Sequence, residues 1–142
     1  MKCKVITNSD VEEVIIYTKE YNDTIKEIEE YILNKDIELL GFIDKRVSKL
    51  NLSDIYCFIV EDNKVYGITK NEKYLIKQRI YILEEQYKNT FIKINQSCLI
   101  NIDKIKKFDA SLSGFLLVTL KNGYSDYVSR RNLKNVKERL GL

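Results

Sequence analysis

The segment from Phe91 to Leu140 gathers the side chains most able to do chemistry in this chain. It reads FIKINQSCLINIDKIKKF from Phe91, and LLVTLKNGYSDYVSRRNLKNVKERL ends at Leu140. Apolar residues recur there at strand spacing, with Lys, Arg, Asn, Gln and Ser at the junctions. Those are the types that grip phosphates and hydrogen-bond to base edges. Near its end, Arg130, Lys134 and Lys137 share one helical stripe, and Leu133, Val136 and Leu140 make an apolar one. A helix start beside Arg130 and Arg131 offers free N–H groups as a natural phosphate site.

Other chemistries find little support. The chain has no His, no phosphate-binding Gly-rich loop and no spaced nucleophile–base set, so an enzyme is not expected. No cofactor or small-molecule substrate is expected either. Cys3, Cys57 and Cys98 form no C-x-x-C pair, and they read as buried, inert thiols rather than a zinc site. The aromatic signatures of sheet-based RNA binders are missing.

Charge sharpens the picture without deciding it. The net charge is +3 over 142 residues. Residues 1–36 hold five Lys against nine Asp and Glu, and residues 37–85 hold eight of each sign. Residues 86–142 hold eleven Lys and Arg against four Asp and Glu. All the excess positive charge therefore lies in the last third, as a nucleic-acid-binding surface requires. A solvated basic face would look the same. No apolar run approaches the roughly 20 residues of a membrane span, and MKCKVITNSD lacks the apolar core of a signal peptide. A cytoplasmic protein is the expectation.

The elements that position these residues are mostly strands. Residues 37–43 and 45–50 read as a hairpin around Asp44, and 55–61 and 64–69 as a second around Asp62-Asn63. Residues 79–86 read as one or two helical turns. Strands recur at 91–94, 98–101, 104–109, 114–120 and 124–128, with Lys121-Asn122-Gly123 as a hairpin turn. The closing helix has Ser129 as its N-cap and a Val128–Leu133 staple. Ahead of all this, 3–7 and 13–18 read as strands separated by the turn formers Asn8, Ser9 and Asp10. A helix follows from about Asp23, with Thr24 and Glu27 at capping-box spacing and Tyr21, Ile25, Ile28 and Ile32 on one stripe. The division is thus a β-β-α packing or pairing element over 1–36 and a larger, predominantly β unit over 37–142.

From about Ser53 to Leu140 the chain resembles the LytTR DNA-binding domain, an output module of bacterial transcriptional regulators. Ser53-Asp54-Ile55 is similar to the opening of the family's early strand. Phe91-Ile92-Lys93-Ile94-Asn95-Gln96-Ser97 resembles its F-x-R-[IVC]-[HN]-[RNQ]-S element, and Leu99-Ile100-Asn101 its following V-N. Val118–Gly123 resembles its hairpin, and Val128-Ser129-Arg130-Arg131 its V-S-R-R. The resemblance implies an α+β, predominantly β fold of elongated antiparallel sheets with short helices. It also implies sequence-specific reading of successive major grooves in double-stranded DNA by strand-end loops.

Carried over by position, the resemblance implies base contacts at Asn95, Gln96, Ser97 and Arg131, with Asn63 and Lys64 as a further pair. Lys93, Arg130 and Lys134 are implied phosphate contacts. Asn95 and Ser97 are equally suited to capping a turn. Asn101 reads as a structural turn residue, and Tyr124 and Tyr127 as packing residues. Many family members carry His where Asn95 stands. The usual phosphoacceptor domain is also missing from the residues before Ser53, and a stand-alone subgroup with a short β-β-α lead fits better. That subgroup implies a small membrane protein as regulator, and a homodimer paired through the N-terminal element is expected. The alternative function is an interaction module that pairs with another regulator or a membrane partner through the N-terminal element.

Overall fold

The computed structural model describes residues 2–7, 10, 13–34, 38–110 and 114–142. Its elements in chain order are α1 (Asp23–Asn34), β1 (Leu39–Ile43), β2 (Arg46–Leu50), β3 (Cys57–Glu61), β4 (Lys64–Ile68), β5 (Lys73–Ile76) and α2 (Ile80–Gln86). They continue with β6 (Phe91–Asn95), β7 (Cys98–Asn101), β8 (Ile105–Ala110), β9 (Leu116–Leu120), β10 (Ser125–Val128) and α3 (Arg130–Leu140). Seven strands form one antiparallel sheet in the order β2-β1-β5-β4-β3-β7-β6, and three form a second in the order β10-β9-β8. The fold is α+β and dominated by antiparallel strands, as expected.

The central strands explain the layering. CFIV in β3 and CLIN in β7 are near-continuous apolar runs because both faces of the large sheet are covered. On one face, Phe58, Leu99 and Phe91 pack with Ile55, Val65, Ile76 and with Leu83 of α2. On the other, Cys57, Ile59, Ile92, Ile94, Cys98 and Ile100 meet Leu116, Val118, Leu120 and Val128 of the small sheet and Val136 of α3. Alternate residues of each strand thus serve alternate cores. The first core is stiffened by Phe58 and Phe91, whose ring centroids lie 4.9 Å apart.

Turn chemistry sets the registers. Asp62 and Asn63 both adopt positive φ, 50° and 62°, and join β3 to β4 with Glu61 opposite Lys64. Asp44, at φ 52°, turns β1 into β2. Gly41 allows that hairpin to lie close over β5, since a Cβ there would fall 2.8 Å from Tyr74 Cβ.

Several expectations change. β5 was not expected from the sequence, yet it fills the place between β1 and β4. Helix α1 is capped by Asn22, whose Oδ1 accepts from the Ile25 N–H at 3.0 Å, rather than by the Thr24–Glu27 pair. Asn22 lies immediately before the first helical residue, where a side-chain oxygen reaches the N3 amide. Residues 3–7 and 13–18 are described but join no ladder among the described residues. The turn expected at Asn8 and Ser9 lies outside the described residues. Cys57 and Cys98 are buried, as expected, but Cys3 is exposed.

Candidate nucleic-acid interface

The β6–β7 hairpin is the centre of the site. β6 ends at Asn95, Gln96 and Ser97 form the turn, and Asn95 pairs with Cys98 across it. A register shift between Lys93 and Asn95 bends the strand just before the tip. Gln96 and Ser97 are exposed, whereas Asn95 is half-buried.

Asn95 spends its amide inside the protein. Its Nδ2 donates to Asp126 Oδ2 and to the Tyr127 carbonyl, each at 3.0 Å. Its Oδ1 accepts from the Ser97 N–H at 2.9 Å. Both amide protons are used, and one Oδ1 lone pair is left for any further partner. Asp126 is a residue the sequence reading missed. It lies 31 positions away, so no local signal marks it.

The fold brings two more segments to the same end. β3 runs antiparallel to β7 with Ile59 opposite Cys98, and the Val60 N–H donates to the Ser97 carbonyl at 2.9 Å. The Asp62-Asn63 turn therefore lies beside the Gln96-Ser97 turn, with Asn63 and Lys64 exposed. The Ser129 N–H donates to the Ile94 carbonyl at 2.8 Å, which sets the start of α3 against the end of β6. Arg130 and Arg131 are exposed there. Ser129 occupies the N-cap position as expected, but its hydroxyl accepts from Asn132 Nδ2 at 2.7 Å and makes no backbone cap bond. The first N–H groups of α3 therefore face outward without a side-chain cap, the arrangement that attracts anions.

Partners separate the basic residues. Arg130 lies over the Phe115 ring at 5.8 Å. Lys134, largely exposed, reaches only 4.0 Å from Glu138. Lys93 is half-buried on β6. Among the described residues Arg131, Gln96 and Lys64 have no side-chain partner. Asp62 and Asp126 add carboxylates at this end, so its field is mixed rather than uniformly basic. Tyr124 packs against the second core, and Tyr127 meets Phe115 edge-on at 6.2 Å. Burial pushes the Tyr124 phenol up, and contact with Cys57 together with burial does the same to the Cys98 thiol. These groups are neutral packing elements.

The opposite end of β6 is closed. Arg139, also missed from sequence, donates to the Phe91 carbonyl at 3.1 Å and to the Lys88 carbonyl. Lys88 in turn pairs with Glu30 of α1 at 2.7 Å. Asn101, 1% exposed, donates to the Ile55 carbonyl at 2.9 Å and accepts from the Asp103 N–H at 3.0 Å. Its role is structural, as expected, though its backbone is extended, φ −75° and ψ 120°, rather than left-handed. Among the described residues no group of three or more His, Cys, Asp or Glu side chains is arranged for a metal ion. No described helix is long and apolar enough to cross a membrane.

This two-sheet architecture, with its polar loops drawn to one end, is that of a known class. Residues 45–141 match the family model of the LytTr DNA-binding domain, and the chain belongs to that family. A solved LytTr DNA-binding domain from Bacillus cereus has the same fold, with a TM-score of 0.70 at 19% identity. That match covers 74% of this chain and 97% of the Bacillus domain. Two proteins named HTH-type transcriptional regulators, from Staphylococcus aureus strains NCTC 8325 and COL, are each 35% identical to this chain. The alignment covers 100% of this chain and 99% of each relative. The structural match shows the fold, while the Staphylococcus relatives extend the likeness over the N-terminal residues as well.

Proposed function

We propose that this protein is a sequence-specific transcription regulator that reads double-stranded DNA through the loops gathered at the Asn95 end. The observation that carries the reading is the convergence there of three segments distant in sequence: Asn63-Lys64, Gln96-Ser97 and Arg130-Arg131. Two hydrogen bonds fix that convergence, Val60 to Ser97 and Ser129 to Ile94. Arg131, exposed and without a side-chain partner among the described residues, offers the bidentate fork suited to O6 and N7 of guanine. Gln96 pairs with adenine or with a neighbouring base edge, and Ser97, Asn63 and Lys64 reach the flanking bases. Asn95 contributes chiefly by holding the turn, with one lone pair left for a base donor. Lys93, Arg130, Lys134 and the open start of α3 take phosphates.

The Staphylococcus relatives are named for a helix-turn-helix, but strands separate the three described helices in this chain. Loop insertion into the major groove fits this architecture better. The protein works in the cytoplasm, as a homodimer joined through its N-terminal element (1–36), with the DNA-reading unit spanning 37–142. The alternative, a module that pairs with another regulator or a small membrane protein, is favoured by one observation. The N-terminal residues expose Val5, Ile6, Val14, Ile15 and Tyr17.

Quantitative gel shifts against the protein's own promoter region test the assignment. Arg131→Ala is expected to lower specific affinity by about 1–3 kcal/mol, and Lys93→Ala to weaken all sequences and reduce the salt slope by about one. Full operator affinity in the double variant would remove both residues from the interface.

A further inference from the structure

A cleft of about 580 Å³ opens where α1, the end of β2 and the turn after α2 meet. That volume is typical of small-molecule sites. Its buried wall is apolar, formed by Leu39 and the ring of Tyr87, with Leu50 and Leu52 beside them. Tyr31 brings α1 to the same cleft. The polar groups in the wall differ in whether the fold already uses them. Asn101 is spent, since it donates to the Ile55 carbonyl and accepts from the Asp103 N–H. Tyr87 is not. Its phenol oxygen is buried and has no hydrogen-bond partner, and burial pushes its ionisation up, so it stays neutral. A buried hydroxyl left in this state calls for a bound water or ligand. Asn51, Ser53 and Asn89, on the exposed side, make no side-chain hydrogen bond among the described residues.

Charge selects an uncharged ligand. The described residues lining the cleft carry one charge of each sign, Asp103 and Lys104. Around them Lys49 pairs with Glu38, Lys88 with Glu30 and Glu85, and Arg46 with Glu72. Asp54 and Lys70 face the adjoining groove, and the Lys121 ammonium donates to the Asp103 carbonyl at 3.1 Å. Cations and anions are therefore equal in number in this surround, and no counter-charge is left over for an ion. What remains is neutral: the carboxamides of Asn51 and Asn89 and the hydroxyls of Ser53 and Tyr87. A carboxamide offers a donor and an acceptor side by side, which matches an amide-type ring edge, as Asn matches adenine. The apolar wall suits the face of such a ring.

We infer that this cleft binds an uncharged heterocycle with amide-type edges, a nucleobase or its nucleoside, held by Asn51 and Asn89 with its ring against Leu39, Leu52 and Tyr87. The ligand supplies the partner that the Tyr87 phenol lacks. Through Tyr31 it also holds α1 against the large sheet. The site is distinct from the loops at the Asn95 end, because Asn95 and Asn101 lie at opposite ends of the β6–β7 hairpin. It stands whether or not those loops read DNA.

Amide NMR of the full chain, titrated separately with adenosine and guanosine, tests it. With at least one of the two, the side-chain amides of Asn51 and Asn89 should move and that of Gln96 should stay. Asn51→Ala and Asn89→Ala should each weaken binding about tenfold. Without ligand both variants should melt with the wild type, since neither side chain holds a bond in the fold. Tyr87→Phe, which removes only the unpartnered hydroxyl, should keep the fold and weaken binding about threefold. Benzoate and phenethylamine, ring probes carrying one charge of either sign, should bind more weakly than the nucleoside. Failure of both nucleosides to bind at concentrations on the order of 1 mM would overturn the inference. So would tighter binding of a charged probe, full affinity in both asparagine variants or in Tyr87→Phe, or shifts confined to Gln96 and Arg131. Failure of the gel shifts described above would instead strike at the DNA-reading assignment and leave this site untouched.

Discussion

Asn95 and Asn101 bracket one hairpin, and the fold uses them differently. Both donate from Nδ2 to main-chain carbonyls and accept a backbone N–H two residues on. Asn101 does so at 1% exposure, where it ties β7 to the segment before β3. Asn95 does so at a half-buried strand end, beside groups that point outward without partners. The contrast extends to the basic residues. At the Asn101 end, Arg139, Lys88 and Lys121 bond to carbonyls or to Glu30. At the Asn95 end, Arg131 and Lys64 reach into solvent. β6 spans about 13 Å between the two ends at the usual rise per residue. One end of the hairpin anchors the fold, and the other is left available.

The largest expected effect comes from the anchored end. Asn101→Ala removes partners from the Ile55 carbonyl and the Asp103 N–H, both held by a side chain that is almost wholly buried. Stability should fall by about 3 kcal/mol in chemical denaturation. Affinity for DNA per folded molecule should stay unchanged. A cost below about 0.5 kcal/mol, typical of a surface change, would erase the distinction between the two asparagines.

Asn95→Ala should cost less in stability, about 1 kcal/mol, because water can replace part of what is lost. Its operator affinity should drop about tenfold, since Gln96 and Ser97 lose their tether to Asp126 and Tyr127. Asp126→Ala removes one of those tethers and should reproduce part of the loss while touching no base. Normal affinity in Asp126→Ala beside a weakened Asn95→Ala would make Asn95 a direct DNA contact rather than a brace.

What was legible in the sequence follows from range. The Asp62-Asn63 and Asp44 turns could be read because few residues tolerate the positive φ they adopt. The strands CFIV and CLIN could be read because burial on both faces demands apolar runs. β5 escaped because KYLI is only four residues with no turn signal of its own, and it is a strand by virtue of lying between β1 and β4. The Asn95–Asp126 and Arg139–Phe91 bonds span 31 and 48 positions, so no local pattern encodes them. The segments 3–7 and 13–18 show the converse. Their pattern is that of strands, yet among the described residues they join no ladder.

The smallest expected effect concerns how α1 is held to the anchored end. The Lys88 ammonium holds the Glu30 carboxyl below its ordinary 4.5, and Glu30 in turn raises Lys88 above its ordinary 10.5. A carboxylate whose folded value is depressed contributes stability that is complete above its unfolded value. The contribution of Glu30 to docking is therefore whole above about pH 4.5 and is lost as pH falls through the lower folded value. Lys88 supplies the mirror case: its share is present below 10.5 and is lost as pH rises through the raised value. A carboxyl-carbon NMR titration should place the Glu30 midpoint below 4.5 in the wild type, and Lys88→Ala should move it back up. Both side chains are half-buried, so added salt should also shift the wild-type midpoint part of the way toward the ordinary value. The Gln96 amide at the far end should not respond to either change. A Glu30 midpoint indifferent to Lys88→Ala would mean that α1 is held by its Ile25–Ile28–Ile32 stripe alone, and that the anchored end owes nothing to this ion pair.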